Sequence, residues 1–153
     1  MLTRQLAAGE TDRVTELLPV ADRALWRGFL TWSGDVVAAV ARDLAAHSSL
    51  SVQDIEILGR LWEREGRLDQ HELQTWLRWS ASRLSHQLTR MSERGLLVRE
   101  TAGSGRRMIV SLTPAGTEQT TAALPHLAEA VRRHFLAGLS AEQKNTLRAL
   151  LAE

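Results

Sequence analysis

Residues 80–97, SASRLSHQLTRMSERGLL, combine short hydroxyl side chains with arginines at helical spacing. Leu84, Leu88 and Met91 recur at intervals of three and four residues, which predicts a helix with one apolar side. No acidic residue precedes Glu93 on this helix, although surface helices usually mix both signs of charge. The bias favours a polyanionic partner. The polar side chains are Ser82, Arg83, Ser85, His86, Thr89 and Arg90.

Side chains of these types suit the base edges and phosphates of DNA. A hydroxyl is small enough to approach either group, and an arginine can donate two hydrogen bonds to guanine O6 and N7. Arg90 is either a phosphate ligand or a partner in an intramolecular salt bridge, and Ser80 is expected first to cap the helix and second to bind phosphate. We assign base readout to Ser82, Arg83 and His86, and secondarily to Thr89.

The helix is expected to end at Gly95, which can take the left-handed conformation, and a β-hairpin is expected to follow. Its loop, residues 101–107 (TAGSGRR), is basic and rich in glycine. A helix followed by such a hairpin is typical of a winged helix. Arg106 at the loop tip is predicted to enter the minor groove, whereas Arg107 contacts either phosphate or nothing. Apolar residues alternate along the strands, at Leu96, Val98, Met108, Val110 and Leu112.

Positive charge is concentrated on this helix and hairpin. Residues 78–107 contain seven arginines and two glutamates, a net charge of +5, whereas the other 12 basic and 16 acidic residues give −4. A chain with a net charge of only +1 therefore carries a local patch that can neutralise phosphates. The alternative is that the helix and loop are arginine-rich for solubility alone.

Two shorter helices precede residue 80. Ser51 followed by Asp54 predicts a capping box that opens a helix to Arg64. A second helix is expected over residues 70–77, after a one-residue strand contact at Leu68. A short helix, a brief connection and a polar-faced helix make the helix-turn-helix arrangement, in which the second helix reads DNA.

Long apolar helices flank this unit. Residues 20–47 predict a helix with two apolar sides, and another helical segment begins at Pro114, in which Pro125 is expected to cause a kink or a break. Ser140 with Gln143 predicts a capping box for a last helix. These apolar sides favour a second copy of the chain as partner. The predicted divisions of one compact domain are an N-terminal extension (1–19), a dimerisation helix (20–50), a winged helix-turn-helix region (51–113) and C-terminal dimerisation helices (114–153).

The composition argues against several classes of functional site. The 153 residues contain no cysteine, which excludes disulfides, iron–sulfur clusters and zinc–thiolate sites. The histidines lack the spacing of a metal site, and no nucleophile–base pair stands out, so we expect no metal, no cofactor and no enzyme activity. Without a leader or a long apolar run, the sequence predicts a soluble cytoplasmic protein with no membrane contact.

Five tryptophans dominate the aromatic residues, since there are no tyrosines and only two phenylalanines. Trp76 and Trp79 flank the entry to the polar-faced helix. Packing in the core or in an interface explains each tryptophan singly. The alternative is that Trp26 and Trp32, with His47, line a pocket for a flat apolar ligand where the dimerisation helices meet the DNA-binding part.

Two segments carry a resemblance to a known family. Residues 80–100, SASRLSHQLTRMSERGLLVRE, and 103–116, GSGRRMIVSLTPAG, pair a helix ending in R-G-L-L with a hairpin followed by L-T-P-x-G. Over residues 21–151 the sequence resembles the multiple-antibiotic-resistance regulator (MarR) family of bacterial winged-helix transcription factors. The resemblance implies a mainly α fold with a small β-hairpin wing, in which a winged helix-turn-helix domain is joined to N- and C-terminal dimerisation helices.

The same resemblance implies a homodimer that binds a pseudo-palindromic operator in double-stranded DNA, usually as a repressor. Release follows when a small aromatic or phenolic ligand binds between the dimerisation helices and the winged domain. One position departs from the family, because Ser104 stands where the wing usually carries an aspartate, while Arg106 matches the key arginine. The missing carboxylate predicts a more mobile wing with a weaker or displaced minor-groove contact.

Two other functions remain open at this point. A winged-helix protein–protein adaptor would keep the fold without binding DNA, but it has no need to concentrate a charge of +5 on one helix and hairpin. A nucleoid protein would bind DNA with salt-sensitive affinity and little sequence preference.

Overall fold

The computed structural model describes residues 17–103 and 107–152. It is mainly α-helical with a three-stranded antiparallel sheet, which confirms the predicted fold class. Ser104 and Arg106, and with them the predicted wing tip, lie outside the described residues. The elements in chain order are α1 (Val20–Ala45), α2 (Val52–Glu63), β1 (Arg67–Asp69), α3 (Gln70–Leu77), α4 (Ala81–Glu93), β2 (Leu97–Ala102), β3 (Arg107–Leu112), α5 (Pro114–Val131), a π-helical turn (Arg132–Leu136) and α6 (Ala141–Leu151).

The chain divides into two units, Met1–Ala38 and Ala39–Glu153, so the boundary falls within α1. In the described part of the first unit, Trp26 stacks on Phe29 with ring centroids 6.0 Å apart. The second unit contains the end of α1 and every later element named above.

The sheet has the order β1–β3–β2, so β3 is its central strand. Val110 pairs with Leu68 on one side and with Arg99 on the other. The single contact predicted at Leu68 is thus a three-residue strand. It ties the start of α3 to the base of the hairpin.

The apolar side of α4 attaches the helix to the core. Leu84, Leu88 and Met91 are completely buried, as their spacing predicted. Burial of a side chain of this size contributes about 1.5–3 kcal/mol. The core therefore determines which side of α4 faces outward. Other fully buried side chains are Leu44, Leu50, Ile57, Leu58, Leu61, Leu73, Leu96, Leu97 and Val110.

Three helices begin at the predicted cap residues. In each, the side chain of the cap accepts a hydrogen bond from the backbone N–H three residues later, so the interaction could be predicted from local sequence. Both capping boxes are present, and the proline at the start of α5 is in its first turn. The cap residues are Ser51, Ser80 and Ser140.

A break at Pro125, one of the two expected outcomes, does not occur, since α5 continues through this residue. A proline within a helix removes one N–H donor at a cost of about 3 kcal/mol. Ala123 and Ala130 are buried on either side of it, and we infer that this packing keeps the segment helical. The helical geometry changes only afterwards, in the π-helical turn Arg132–Leu136.

An ion pair between a buried carboxylate and an exposed arginine joins α2 to the residue after α4. Asp54 is only 1% exposed, and its Oδ2 accepts hydrogen bonds from Ser51 N at 2.9 Å and Arg94 Nη1 at 2.8 Å. Its Oδ1 accepts from Gln87 Nε2 at 2.7 Å. Burial acts to raise the pKa of Asp54, but the hydrogen bonds from Arg94 and Ser51 outweigh it and hold the pKa below its ordinary value.

The helix α5 passes the end of α4 at a glycine. A Cβ at Gly116 would lie 1.9 Å from the carbonyl oxygen of Leu96. Thr113 Oγ1 accepts from Gly116 N at 2.9 Å and donates to Gly95 O at 2.6 Å. The glycine of the L-T-P-x-G segment is therefore required by the close approach of two backbones.

We expect Asp54→Asn to lower the free energy of unfolding at pH 7 by about 1–3 kcal/mol, because Arg94 and Ser51 lose an anionic acceptor. The folded-state pKa of Asp54 lies below its unfolded value of about 3.9. The stabilisation by the ionised group is therefore complete above that pH and is lost as the pH falls through the folded-state pKa.

Urea denaturation at one protein concentration measures the difference in free energy of unfolding between the wild type and Asp54→Asn. We expect this deficit of the variant to become smaller below a pH of about 4. Asp35→Asn, at an exposed position of α1, is the control and should change the free energy of unfolding by no more than about 0.5 kcal/mol. A deficit that stays constant on acidification would show that the charge of Asp54 does not stabilise the fold.

Gly116→Ala should destabilise the protein by about 1–3 kcal/mol, because the backbone of Leu96 must move to admit the methyl group. Gly59→Ala is the matched control, since Gly59 also lies in a helix but an added Cβ meets no neighbouring atom within 4 Å. Alanine favours a helix over glycine by up to about 1 kcal/mol. Equal unfolding midpoints for the two variants would contradict the assignment of Gly116 to close packing.

Candidate nucleic-acid interface

The outward side of α4 carries the predicted DNA-reading residues. The 13 residues of α4 span about 20 Å, and the major groove of DNA is wide enough to admit a helix. Ser85 is half-buried at the edge of this side. The exposed predicted residues are Ser82, Arg83, His86, Thr89 and Arg90.

A three-residue turn connects α3 to α4. Arg78 ends α3 in the left-handed conformation, with a φ of 54°. Ser80 then accepts a hydrogen bond from Arg83 N at 3.2 Å. This confirms the capping role predicted for Ser80, and its phosphate contact stays a prediction.

The side chain of Arg83 rests on an aromatic ring. Its Cζ lies 3.9 Å from the centroid of the Trp79 ring, and Trp79 packs against the hydrophobic core. Sequence reasoning gave Trp79 a packing role alone. The overlooked signal was the four-residue interval between a tryptophan and an arginine at the start of a helix.

Arg90 has an intramolecular partner. Its Nη2 donates to Gln87 Oε1, and Gln87 in turn donates to the buried carboxylate of Asp54. Arg90 was predicted to be a phosphate ligand or a partner in an intramolecular salt bridge; the contact found is a hydrogen bond to a neutral amide, and the phosphate contact stays a prediction. Gln87 was not singled out from sequence, because it lies between core positions and its acceptor is 33 residues away.

The hydroxyl of Thr89 already donates to Ser85 O, at 2.9 Å. Arg99 Nη1 lies 3.4 Å from the same hydroxyl, while Arg99 Nη2 donates to Gln70 Oε1 at 2.9 Å. Thr89 can therefore offer DNA an acceptor, but its proton is committed to the helix. Arg99 links β2 to both α3 and α4.

A cleft of about 560 Å³ lies between the start of α2 and the outward side of α4. Its lining includes Arg83, His86 and Arg90. Arg94 also lines it, and Asp54 neutralises that cation at 2.8 Å. An anionic group such as a phosphate can be accommodated beside the guanidinium groups of Arg83 and Arg90.

At the base of the wing, Arg107 is held by an acid. Its Nε donates to Asp69 Oδ2 at 3.0 Å, while Asp69 Oδ1 caps α3 by accepting from His71 N at 2.8 Å. The hydrogen bond from Arg107, and after it that from His71, lowers the pKa of Asp69. The alternatives predicted for Arg107 omitted this partner, which lies 38 residues earlier in the chain.

The three residues suggested for a ligand pocket lie in different units. Trp26 and Trp32, in the first unit, are 44% and 40% exposed. His47, in the second unit, stacks on His126 with ring centroids 4.6 Å apart. The pocket stays a prediction.

None of the described helices contains a segment that is long and apolar enough to cross a bilayer. Within residues 17–103 and 107–152, no three metal-ligating side chains gather where they could hold an ion.

Solved structures share this architecture. AbsC, a MarR family transcriptional regulator from Streptomyces coelicolor, is 35% identical over 88% of this chain and 92% of its own, with a TM-score of 0.80. Sco3205, a MarR family transcriptional regulator from the same organism that was solved in complex with DNA, is 26% identical over 88% of this chain and 85% of its own, with a TM-score of 0.81. No family model and no curated protein sequence matches the chain. Because the similarity to AbsC extends over most of both proteins, the chain belongs to the MarR family of transcriptional regulators.

Proposed function

We propose that this regulator binds a specific sequence in double-stranded DNA, with α4 in the major groove. The observation that carries the proposal is the outward side of α4, where hydroxyls, a histidine and arginines are exposed and no acid precedes Glu93. The structure of Sco3205 with DNA supports the same activity here. The proposed base contacts are Ser82, Arg83, His86 and Thr89, and the proposed backbone or groove contacts are Ser80, Ser85, Arg90, Arg106 and Arg107.

The functional unit of this proposal is a homodimer. Large apolar side chains are exposed on α1 and on α6, among them Phe29, Leu30, Leu150 and Leu151, and such surfaces suit burial against a second copy. A twofold axis places two recognition helices one duplex turn, about 34 Å, apart. The operator is then an inverted repeat.

Repression that is relieved by a small aromatic or phenolic ligand is the regulatory part of the proposal. The family resemblance supports it, and so do the exposed rings of Trp26 and Trp32, which suit a flat apolar molecule. His47 is the third residue assigned to the pocket. Titration of the operator complex with substituted phenols and benzoates tests this part, because the compound that releases DNA from the wild type should fail on Trp26→Ala. A panel without any effect on DNA binding would count against it.

Selection of the purified protein on a randomised duplex library should recover an inverted repeat with half-sites one turn apart. We expect that operator to bind at least ~10³-fold more tightly than a scrambled duplex at the same salt concentration. Salt-sensitive binding without a consensus would favour a nucleoid protein instead. An absence of binding at low salt would favour a protein–protein adaptor.

Arg83→Ala and Arg107→Ala should differ in their effects. Loss of Arg83 removes a base contact, so we expect a cost of about 1–3 kcal/mol on the operator and a relaxed preference at one position of each half-site. Loss of Arg107 should weaken binding to all sequences alike and reduce the salt slope by about 1. Dissociation constants on operator and scrambled duplexes at two salt concentrations separate the two patterns, and identical patterns would contradict the assigned roles.

A further inference from the structure

Trp79 and Arg83 form a pair at the entrance to α4. The guanidinium Cζ lies 3.9 Å from the ring centroid, within the distance at which a cation is attracted to the face of an indole. Among the residues that the structure describes, Arg83 has no acidic partner. The ring of Trp79 is therefore the contact that restrains the guanidinium.

The ring is itself fixed. Its half-buried side chain packs against the hydrophobic core. On the backbone, Trp79 lies between Arg78, which takes the left-handed conformation, and Ser80, whose hydroxyl accepts from Arg83 N. The tryptophan thus provides a rigid support for a long side chain that would otherwise be free to rotate.

We propose that Trp79 is a positioning residue for sequence recognition, which orders the Arg83 guanidinium before it meets a guanine. The inference rests on the proposed function. Stacking occupies the face of a guanidinium and leaves the N–H groups at its edge for guanine O6 and N7. An arginine that is ordered beforehand loses less side-chain entropy on binding, so the contact with the correct base becomes stronger.

A second tryptophan–arginine pair serves as the comparison. Arg60 Cζ lies 3.7 Å from the centroid of the Trp76 ring, but Arg60 also forms an ion pair with Glu63 at 2.7 Å. This pair joins α2 to α3 and includes no residue of α4. Trp76→Leu is therefore a matched control for the loss of such a stack away from the proposed reading surface.

The test uses two duplexes, the selected operator and the same operator changed at the base pair whose identity Arg83→Ala no longer distinguishes. The readout is the ratio of the two dissociation constants. Trp79→Leu keeps an apolar contact with the core and should reduce this ratio about two- to fivefold, as expected for a cation–π contact at an exposed site. Trp79→Phe retains a ring, so its ratio should stay close to that of the wild type. Trp76→Leu should have the same ratio as the wild type.

A double variant distinguishes positioning from packing. In the Arg83→Ala background, Trp79→Leu should have no further effect on the ratio, because a positioning residue acts only through its arginine. For the single variant Trp79→Leu, the salt dependence of DNA binding should equal that of the wild type, since no phosphate contact is lost. An unchanged ratio for Trp79→Leu, or equal weakening on both duplexes, would overturn the inference.

Circular dichroism checks that each variant folds, and Trp79→Met replaces Trp79→Leu in every comparison if the leucine variant does not fold. Failure of the proposed function gives a different result, because the wild type itself would then show no preference among duplexes. That result would overturn the inference together with the proposed function. A wild-type preference that persists in all position-79 variants overturns the inference alone.

Discussion

The buried carboxylate of Asp54 constrains the elements around it. A charge without exposure to water requires several donors, and an uncompensated one would be strongly destabilising. Its donors come from different places in the fold: Ser51 N belongs to the cap residue before α2, Gln87 lies in the middle of α4, and Arg94 is the residue after α4. Because all three must reach one carboxylate, the position of α4 relative to α2 is fixed to within hydrogen-bonding distance. The positions of the side chains on the outward side of α4 are therefore fixed relative to α2 as well.

The same electrostatics lowers the net positive charge of the folded surface. Arg94 and Arg107 are neutralised by Asp54 and Asp69, acids that lie outside residues 78–107 in sequence but adjacent to them in space. The charge of +5 counted along that segment therefore overstates the positive charge of the folded surface. Arg83 is different, since its partner is a neutral ring. Its full charge and its N–H groups therefore remain available for the base contact that is proposed for it.

The features that were predicted correctly from sequence are those that depend on residues three or four positions apart. The caps at Ser51, Ser80 and Ser140 and the buried side of α4 involve intervals of three or four positions, and all of them are present. Contacts over long intervals were not predictable, because nothing along the chain indicates that position 54 will meet positions 87 and 94. A break at Pro125, one of the two expected outcomes, does not occur for the same reason, since the packing to which we attribute the helical geometry of α5 is a property of the folded chain.

The two segments that carried the family resemblance meet in space. Gly95 and Leu96, from the R-G-L-L end of α4, receive hydrogen bonds from the hydroxyl and the N–H of Thr113, in the L-T-P-x-G segment. Gly116 then allows α5 to pass against the carbonyl of Leu96. This junction closes the base of the hairpin, so the direction of the strands β2 and β3 follows that of α4. None of its residues belongs to the proposed base-reading set. The residues of this junction and those proposed to select an operator are therefore separate, so a substitution in the base-reading set removes none of the contacts that form the junction.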